Sequence, residues 1–403
     1  MKKGKAMAQT FFSLKETEKV LREPLTALRH ELHEHPELSG REQETTARLR
    51  ALFTEPPFEM LPLPVETGVV VRIRGNKPGK RVAIRADMDA LPVQEWDGNP
   101  VRSQNPGVMH ACGHDMHMSF VYGAGLLLAQ ARDRFSGEVL LVFQPAEEVG
   151  EGAKMLLDAG LFDCYPVDHI IGGHVKPELA AGKISVRTGP VMAALDGFYI
   201  EILGKGGHGA CPHLCKDPIV AASAIVMNLQ TVASRTSDPS LACVLSVCRI
   251  HGGEADNVIP DKAFIEGTIR TVDPDQRTAC LERFLAVAES TAAAMGCEAR
   301  VLIHRGIPLV MNEAKTAGIC RASAQRLLGA ENVTALPVDT ISEDFAIYGQ
   351  RVPACFIGIG TTEPGADFHS LHSDRYFAPD SLLPLGATVY AQMALDLLEE
   401  EQL

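Results

Sequence analysis

Three strongly apolar runs, each ending in polar side chains, constrain the fold of this chain more than any other feature. Residues 81–84, 140–143 and 169–175 have the composition of buried strands. They lead into Asp87, into the adjacent Glu147 and Glu148, and into His174. Because functional groups of open α/β sheets lie beyond the carboxyl ends of the strands, we expect these four side chains at one edge of a sheet.

A dense group of metal-capable residues occupies positions 109–117, which read Met-His-Ala-Cys-Gly-His-Asp-Met-His. Cys112 and His114 are good transition-metal ligands near pH 7, cysteine as the thiolate and histidine as the neutral imidazole. Taken alone, the pair is equally typical of a buried cysteine and a helix-capping histidine. In a chain that also has the three polar strand ends, it favours a metal site.

Composition and charge narrow the class of protein. The chain has 403 residues, enough for two domains, and its net charge of −13 disfavours binding to nucleic acid. The basic start, Met1-Lys2-Lys3-Gly4-Lys5, lacks the apolar run of a secretory signal, and no run suggests a membrane span. The ten cysteines have no framework spacing. We therefore expect a cytoplasmic protein with reduced thiols.

The order of segments predicts an α/β domain that is interrupted by an insertion. A helical pattern covers 15–54, and strand-like and helix-like segments alternate from 66 to 187, which indicates a mostly parallel, helix-covered sheet. Residues 197–203, 217–232, 241–251, 262–271, 275–295 and 297–305 then follow the ferredoxin-like order of strand, helix, two strands, helix and strand. After Asn312 the α/β pattern returns, with a helix at 313–328, a strand at 354–358 and a helix at 380–400. We predict a catalytic domain at 1–191 and 310–403 and an inserted domain at 192–309.

Motifs along nearly the whole chain resemble the amidohydrolase branch of the aminoacylase and carboxypeptidase-G-like family of two-metal exopeptidases. That branch includes hippurate hydrolases and plant hydrolases of indole-acetyl amino acid conjugates. The motifs lie at 29–37, 85–92, 109–117, 143–148, 173–175, 204–209, 257–260, 342–345 and 368–373. The resemblance implies a metal-dependent amidohydrolase that cleaves N-acyl amino acids, with an inserted dimerisation and lid domain and a homodimeric assembly.

The resemblance also implies two divalent metal ions per subunit, of Mn, Zn, Co or Ni. The implied ligands are Cys112, His114, Glu148, His174 and His372. Cys112 bridges both ions, which the resemblance pairs with His114 and His174 on one side and Glu148 and His372 on the other. His369 lies three residues before His372, and the Leu371-His372-Ser373 context favours His372 as the ligand.

Further roles follow from the same resemblance. Glu147 is the general base, and Asp87 and Asp115 support the metal-bound histidines from outside the ligand set. Asp89 is interpreted as a cap of the following turn. Arg85 stands where peptidase branches carry a metal histidine, which favours an amidohydrolase over a dipeptidase.

The inserted domain is expected to contribute three residues to catalysis. His208, within Gly204-Lys205-Gly206-Gly207-His208-Gly209, stabilises the oxyanion at the partner subunit's metals, and Asn257 and Arg270 hold the substrate carboxylate. The alternating run 197–203 is interpreted as an edge strand that would join its counterpart in a dimer.

Three alternatives remain open. One is a dipeptidase or carboxypeptidase of the same family. Another is a protein that keeps this fold only for binding, although neither Glu147 nor any implied ligand is missing. The third is a mononuclear zinc or thiol-dependent hydrolase with Cys112 as nucleophile, which leaves Glu148, His174 and His372 without a role.

Overall fold

The computed structural model of the chain describes residues 12–399. The basic start at 1–5 and residue 400 of the last expected helix lie outside this range. The chain divides into two compact units. Unit 1 comprises residues up to Gly189, Met311–Pro337 and the segment from Asp344 onward, and unit 2 comprises Pro190–Val310 and Val338–Glu343.

The described residues form ten α-helices and sixteen strands. The helices are α1 Leu14–Glu34, α2 Gln43–Leu52, α3 His114–Ala131, α4 Gly152–Asp158, α5 Leu161–Cys164, α6 Pro218–Thr231, α7 Pro274–Ala294, α8 Ala314–Leu328, α9 Ala346–Gly349 and α10 Leu383–Leu398. The strands are β1 Phe58–Met60, β2 Val69–Arg74, β3 Arg81–Asp87, β4 Glu138–Gln144, β5 His169–Ala180, β6 Ile184–Ser185, β7 Gly189–Met192, β8 Ala194–Leu203, β9 Gly207–His208, β10 Cys243–Gly252, β11 Val258–Ile259, β12 Lys262–Thr271, β13 Glu298–Arg305, β14 Val310–Asn312, β15 Val333–Thr334 and β16 Ala354–Thr362.

Unit 1 is built on an eight-stranded sheet in the order β1-β2-β4-β3-β5-β16-β6-β15. The central strands β4, β3, β5 and β16 run parallel to their neighbours in this group, and antiparallel pairs lie toward the edges. The central strands are buried along most of their length, as their apolar runs predict. The prediction of an α/β fold with a mainly parallel central sheet is confirmed.

Helices cover this sheet with a continuous apolar core. Helices α1, α3, α8 and α10 pack on one another, and Leu25, Phe120 and Met393 are fully buried among them. The segment Asp380–Leu398, which includes α10, is long and apolar enough to cross a membrane by length and composition alone. No segment of this kind was predicted from the sequence. However, 83% of the apolar window is buried inside the protein, as in a core helix.

Unit 2 has a four-stranded antiparallel sheet in the order β10-β12-β8-β13. Its elements follow one another as β8, α6, β10, β12, α7 and β13, which is the ferredoxin-like order. Alternate residues of β8 are buried, among them Phe198, Ile200 and Ile202, and they pack in one core with residues of α6 and α7. Asp217 and Asp273 cap these two helices by accepting backbone N–H groups through their side chains.

Two details of the expected secondary structure are wrong. The helical pattern at 15–54 is not one element, since α1 ends at Glu34 and α2 begins at Gln43. The run 197–203 is not an edge strand, because β8 is hydrogen-bonded on both sides, to β12 and to β13. The edges of this sheet are β10 and β13. The alternation of β8 reflects one face packed on helices and one face that is only partly covered.

Candidate metal centre

The ends of β3 and β4 and the middle of β5 meet the turn that begins α3. The expected strand end at His174 is wrong, because β5 continues to Ala180. Gly113 adopts a left-handed conformation with φ of 78° and places Cys112 immediately before the helix and His114 at its first position. Cys112 and His114 are buried, at 7% and 0% exposure. Among the described residues, five groups of three side chains bring potential ligand atoms within 4.8 Å of one another, and two of these groups share Cys112. These two groups are Cys112, His114 and His174, and Cys112, Glu148 and His372.

The Cys112 thiol lies between two imidazoles. Its Sγ is 3.3 Å from Nε2 of His174 and 3.3 Å from Nε2 of His372. Nε2 of His372 is also 3.5 Å from Glu148 Oε2, and Nε2 of His114 is 3.8 Å from Glu148 Oε1. The structure therefore brings all five predicted metal ligands into one cluster around Cys112.

Backbone carbonyls fix which nitrogen of two histidines carries the proton. Nδ1 of His114 lies 2.8 Å from the carbonyl oxygen of Asp89, and Nδ1 of His174 lies 2.7 Å from that of Val175. A carbonyl can only accept, so each Nδ1 donates, and Nε2 is the nitrogen of each ring that can offer a lone pair to a cation. Within the described part of the chain, buried His114 Nε2 and Glu148 Oε1 have no hydrogen-bond partner.

The charges of the cluster favour a bound cation. Burial alone lowers the pKa of His114, but the carboxylates of Asp87, Asp89 and Glu148 outweigh it and raise that pKa to about 10. Burial together with the charges of Glu148, Glu147 and Asp87 raises the pKa of the Cys112 thiol well above its usual value. Without a cation the thiol is therefore held in its protonated form, whereas a nearby cation stabilises the thiolate.

Glu147 and Glu148 follow a strained residue. Ala146 has φ of 55° and is one of two non-glycine residues with positive φ in the described chain. The other is His372 (φ 64°), whose N–H donates to Ala111 O at 2.9 Å. A carboxylate oxygen of Glu147 lies within 4.8 Å of ligand atoms of His114 and Glu148, and its side chain is mostly buried. The unusual backbone at both positions thus delivers side chains to the same cluster.

Asp87 lies beside the cluster and is held from two sides. Its Oδ1 is 2.6 Å from Nδ1 of His117, and its Oδ2 accepts a hydrogen bond from Arg85 at 2.6 Å. The Nε2 of His117 in turn accepts the N–H of Val175 at 3.0 Å. A chain of contacts therefore joins Asp87 to the strand that bears His174.

The structure places Asp115 differently from the sequence interpretation. Its Oδ2 accepts from Nε of Arg29 at 2.9 Å and lies 3.0 Å from Nδ1 of His33, so it anchors α1 rather than a metal-bound histidine. The outer acceptor of His114 is instead the backbone carbonyl of Asp89, and Oδ1 of the same residue lies 3.3 Å from Nδ1 of His114. We had interpreted Asp89 only as a turn cap. Asp89 also accepts the N–H of Glu148 at 3.0 Å. No sequence pattern distinguished these two aspartates, because the Arg29 and His33 contacts span more than 80 residues.

His208, Asn257 and Arg270 belong to unit 2. His208 pairs with Val258 across β9 and β11, and Asn257 O accepts the N–H of Gly209 at 2.8 Å, so His208 and Asn257 share one exposed corner. Arg270 lies near the far end of β12, eight residues from Lys262. The structure therefore brings His208 and Asn257 together and leaves Arg270 apart from them within the unit.

Among residues 12–399, His369 belongs to none of the groups of potential metal ligands, which agrees with the choice of His372. His369 instead lines a cavity of about 220 Å³ together with Thr361, Glu363 and Tyr376. All ten cysteines fall within the described range and are free thiols.

Comparison with known proteins assigns the family. Residues 83–396 match peptidase family M20/M25/M40. Two Bacillus subtilis proteins, an N-acetyl-L-cysteine deacetylase and an N-acetylcysteine deacetylase, are 42% and 40% identical to this chain. The alignments cover 85% and 93% of this chain and 81% and 97% of the relatives.

A solved structure gives the same result. A Bacillus subtilis protein described as a dinuclear metal-binding peptidase of the M20 family superposes with a TM-score of 0.84 and 37% identity, over 94% of this chain and 99% of the other. The match spans both units of the chain. This chain belongs to the M20/M25/M40 peptidase family.

Proposed function

We propose that this protein is a metal-dependent amidohydrolase that cleaves N-acyl amino acids to a carboxylate and an amino acid. One observation carries the proposal: two groups of donor atoms share the single thiol of Cys112. The similarity to deacetylases of N-acetylcysteine and to a dinuclear peptidase supports the same conclusion.

The donor set fits two divalent transition metals. One group offers a sulfur and two imidazole nitrogens, and the other offers the same sulfur, a carboxylate and an imidazole. Such mixed soft and borderline ligands suit Zn, Mn, Co or Ni, and a thiolate can hold two cations close together. The unpartnered Nε2 of His114 and Oε1 of Glu148 are explained once a cation takes the place of the missing partner.

When bound, two such cations supply Lewis-acid activation of a water and of the scissile amide carbonyl. Glu147 then acts as the base that removes the water's proton during attack on the carbonyl carbon, and it returns that proton to the leaving amine nitrogen. Glu148 serves as a ligand. The adjacency of the two carboxylates supports this division, because each lies near His114 and Glu148 also belongs to the group with Cys112 and His372.

The proposed inserted domain at 192–309 lies within unit 2, which also includes Val338–Glu343 from the predicted catalytic domain. We assign the inserted domain to dimerisation and to closing the site. In this proposal His208 stabilises the oxyanion in the partner subunit, while Asn257 and Arg270 bind the substrate carboxylate. Arg270 lies eight residues from Lys262 along β12, a span on the order of 27 Å. This separation from the corner that holds His208 supports action of the two residues at different active sites of a dimer. Because β8 is an interior strand, the proposed dimer contact would run through the edge strand β13 instead.

A thiol-dependent hydrolase is less well supported. A cysteine nucleophile requires a lowered thiol pKa, whereas burial and nearby carboxylates raise the pKa of Cys112. Such an enzyme also leaves the Glu148 and His372 group without a purpose.

A hydrolysis screen tests the proposed function. The purified protein, with metal content measured on the same sample, is offered N-acetyl, benzoyl and indole-acetyl amino acids alongside dipeptides, with Glu147→Gln as the matched control. We expect release of free amino acid from N-acyl substrates by the wild type only. Preference for dipeptides identifies a peptidase, and metal-loaded protein without any turnover identifies a binding protein.

A further inference from the structure

We propose that Cys243 and Cys280 of unit 2 form a peroxide-oxidisable dithiol that closes to a disulfide. This inference does not depend on the proposed hydrolase activity, because neither cysteine belongs to the candidate metal centre. It assigns a modification site whose reactant is hydrogen peroxide or another small hydroperoxide.

The geometry brings the two sulfurs together from distant parts of the chain. Cys243 begins the edge strand β10, Cys280 lies in the second turn of α7, and their Sγ atoms are 3.7 Å apart. A disulfide bond is about 2.0 Å long, so closure requires each sulfur to move by roughly 1 Å. Rotation of the two side chains can supply a movement of that size.

The surroundings of the pair favour a thiolate. The Oγ of Ser237 lies 3.2 Å from Cys280 Sγ. Hydrogen bonds from the Cys243 thiol and from Ser237 lower the pKa of Cys280 to about 6, against the opposing effect of burial. One proton shared by two sulfurs leaves one thiolate available near neutral pH, and the thiolate is the reactive form of cysteine.

Access to the pair runs through Cys243. Cys280 is fully buried, whereas Cys243 is partly exposed at the start of the strand. Peroxide is small, and the resolving sulfur stands beside the attacking one. Other thiols lack either a partner or access to solvent. Among the described residues, Cys164 and Cys248 are exposed but have no neighbouring thiol, and Cys320 and Cys355 are both fully buried.

The chemistry balances in two steps. The thiolate attacks one peroxide oxygen, the oxygen–oxygen bond breaks, and a sulfenic acid and hydroxide form. The second thiol then attacks the sulfenic sulfur, the sulfur–sulfur bond forms, and the hydroxyl leaves as water after taking the thiol proton. The two thiols are oxidised and one peroxide is reduced. Two waters result, because the hydroxide takes up the proton that the first thiol released on ionisation. The product links the first residue of β10 to α7.

Peptide mapping of the full-length protein tests the inference. The protein is treated with limiting hydrogen peroxide, its remaining thiols are alkylated, and digested peptides are analysed by mass spectrometry. We expect a linked peptide pair containing Cys243 and Cys280, restored to free thiols by a reductant, and a loss of two from the ten thiols of the chain. The linked pair should be absent from Cys243→Ser and Cys280→Ser and unchanged in the control Cys248→Ser.

Ser237→Ala adds a readout that does not depend on removing either cysteine. We expect slower formation of the linked pair in this variant, with unchanged far-UV circular dichroism before oxidation. The inference is overturned if the linked peptides join other cysteines, such as Cys211 and Cys215. It is equally overturned if Cys243 and Cys280 remain alkylatable after the exposed thiols have been oxidised.

Discussion

Arg85 and Asp344, 259 residues apart in the chain, form a buried ion pair with 2.9 Å between Nη2 and Oδ1, and neither side chain is exposed to solvent. Gln144 bonds to both partners, through its Oε1 to Arg85 and through its Nε2 to Asp344. Arg85 also holds Asp87. The ends of β3 and β4 and the start of the last unit 1 segment are thus tied together beside the metal centre.

Removing one partner of this pair should destabilise the protein strongly. Arg85→Met leaves two buried carboxylates without their cation, and we expect a loss of about 3–5 kcal/mol in the free energy of unfolding. The midpoint of urea unfolding measures it. The partly exposed Arg132 serves as the control position, since Arg132→Met should change stability by less than about 0.5 kcal/mol. Equal effects of the two substitutions contradict the prediction.

The two adjacent glutamates should give different phenotypes. Glu147→Gln removes a base but no ligand, so we expect retained metal and turnover reduced by at least about 10²–10⁴-fold. Glu148→Gln should instead weaken metal binding. Turnover is measured on the best N-acyl substrate and metal by elemental analysis. Reversed phenotypes mean that the two roles are exchanged.

Cys112→Ala should remove most of both metal ions, because Cys112 is common to both donor groups. His174→Ala, by comparison, affects only one group and should spare more of the metal. The exposed Cys164 provides a matched control, and Cys164→Ala should keep the full content. Elemental analysis after dialysis measures the metal content of each variant. A Cys112→Ala protein that keeps its full metal content refutes the bridging role.

His33 should make stability depend on pH in the alkaline range. Burial lowers its pKa, but the charge of Asp115 and hydrogen bonds to Asp115 and Glu95 outweigh it and raise the pKa to about 9. The folded pKa thus exceeds the unfolded value of about 6.5. The stabilisation is complete below pH 6.5 and is lost as the pH rises through 9.

Urea unfolding at a series of pH values checks this sign. We expect the stability difference between wild type and His33→Gln to shrink between pH 6.5 and 9.5, by on the order of 3 kcal/mol. His35→Gln is the control, because His35 lies outside this buried network. A difference that stays constant across the range shows that His33 does not carry the charge.

Subunit exchange tests the proposed role of His208. Mixing inactive His208→Ala with inactive Glu147→Gln creates mixed dimers in which one site combines an intact Glu147 with a partner's intact histidine. At equal mixing we expect about one quarter of wild-type activity, because half the dimers are mixed and each has one working site. Demonstrated exchange without recovery places His208 in its own chain's site or outside catalysis.

Local sequence pattern predicted most elements, and the family resemblance supplied the set of residues that gather around Cys112. The apolar runs located three strands. The ends of β3 and β4 converge because parallel strands present their carboxyl ends together, whereas His174 lies inside β5 and not at its end. What failed depended on contacts between distant residues. The interior position of β8 is set by pairing with β13 about 100 residues later, and alternation alone cannot reveal how many neighbours a strand has.

Contacts between distant residues also explain why the roles of Asp89 and Asp115 were not predicted correctly. Both aspartates lie within motifs that contain potential metal ligands. Only the folded chain shows that Nδ1 of His114 contacts the carbonyl of Asp89, whereas Arg29 and His33 contact the carboxylate of Asp115. From the sequence, Arg85 was recognised only as a residue that replaces the metal-binding histidine of peptidase branches, and its ion pairs were not predicted. Its clamp on Asp344 and Gln144 joins segments that no short motif connects.

The two donor groups around Cys112 differ in their burial. The group with His114 and His174 is enclosed, whereas His372 exposes 54% of its side chain. Metal exchange should therefore proceed in a fixed sequence, with the ion at the His372 position captured first by a chelator and the enclosed ion released slowly. A partly loaded protein would then be a defined species in which one ion stays and the other comes and goes with the supply of metal in its surroundings.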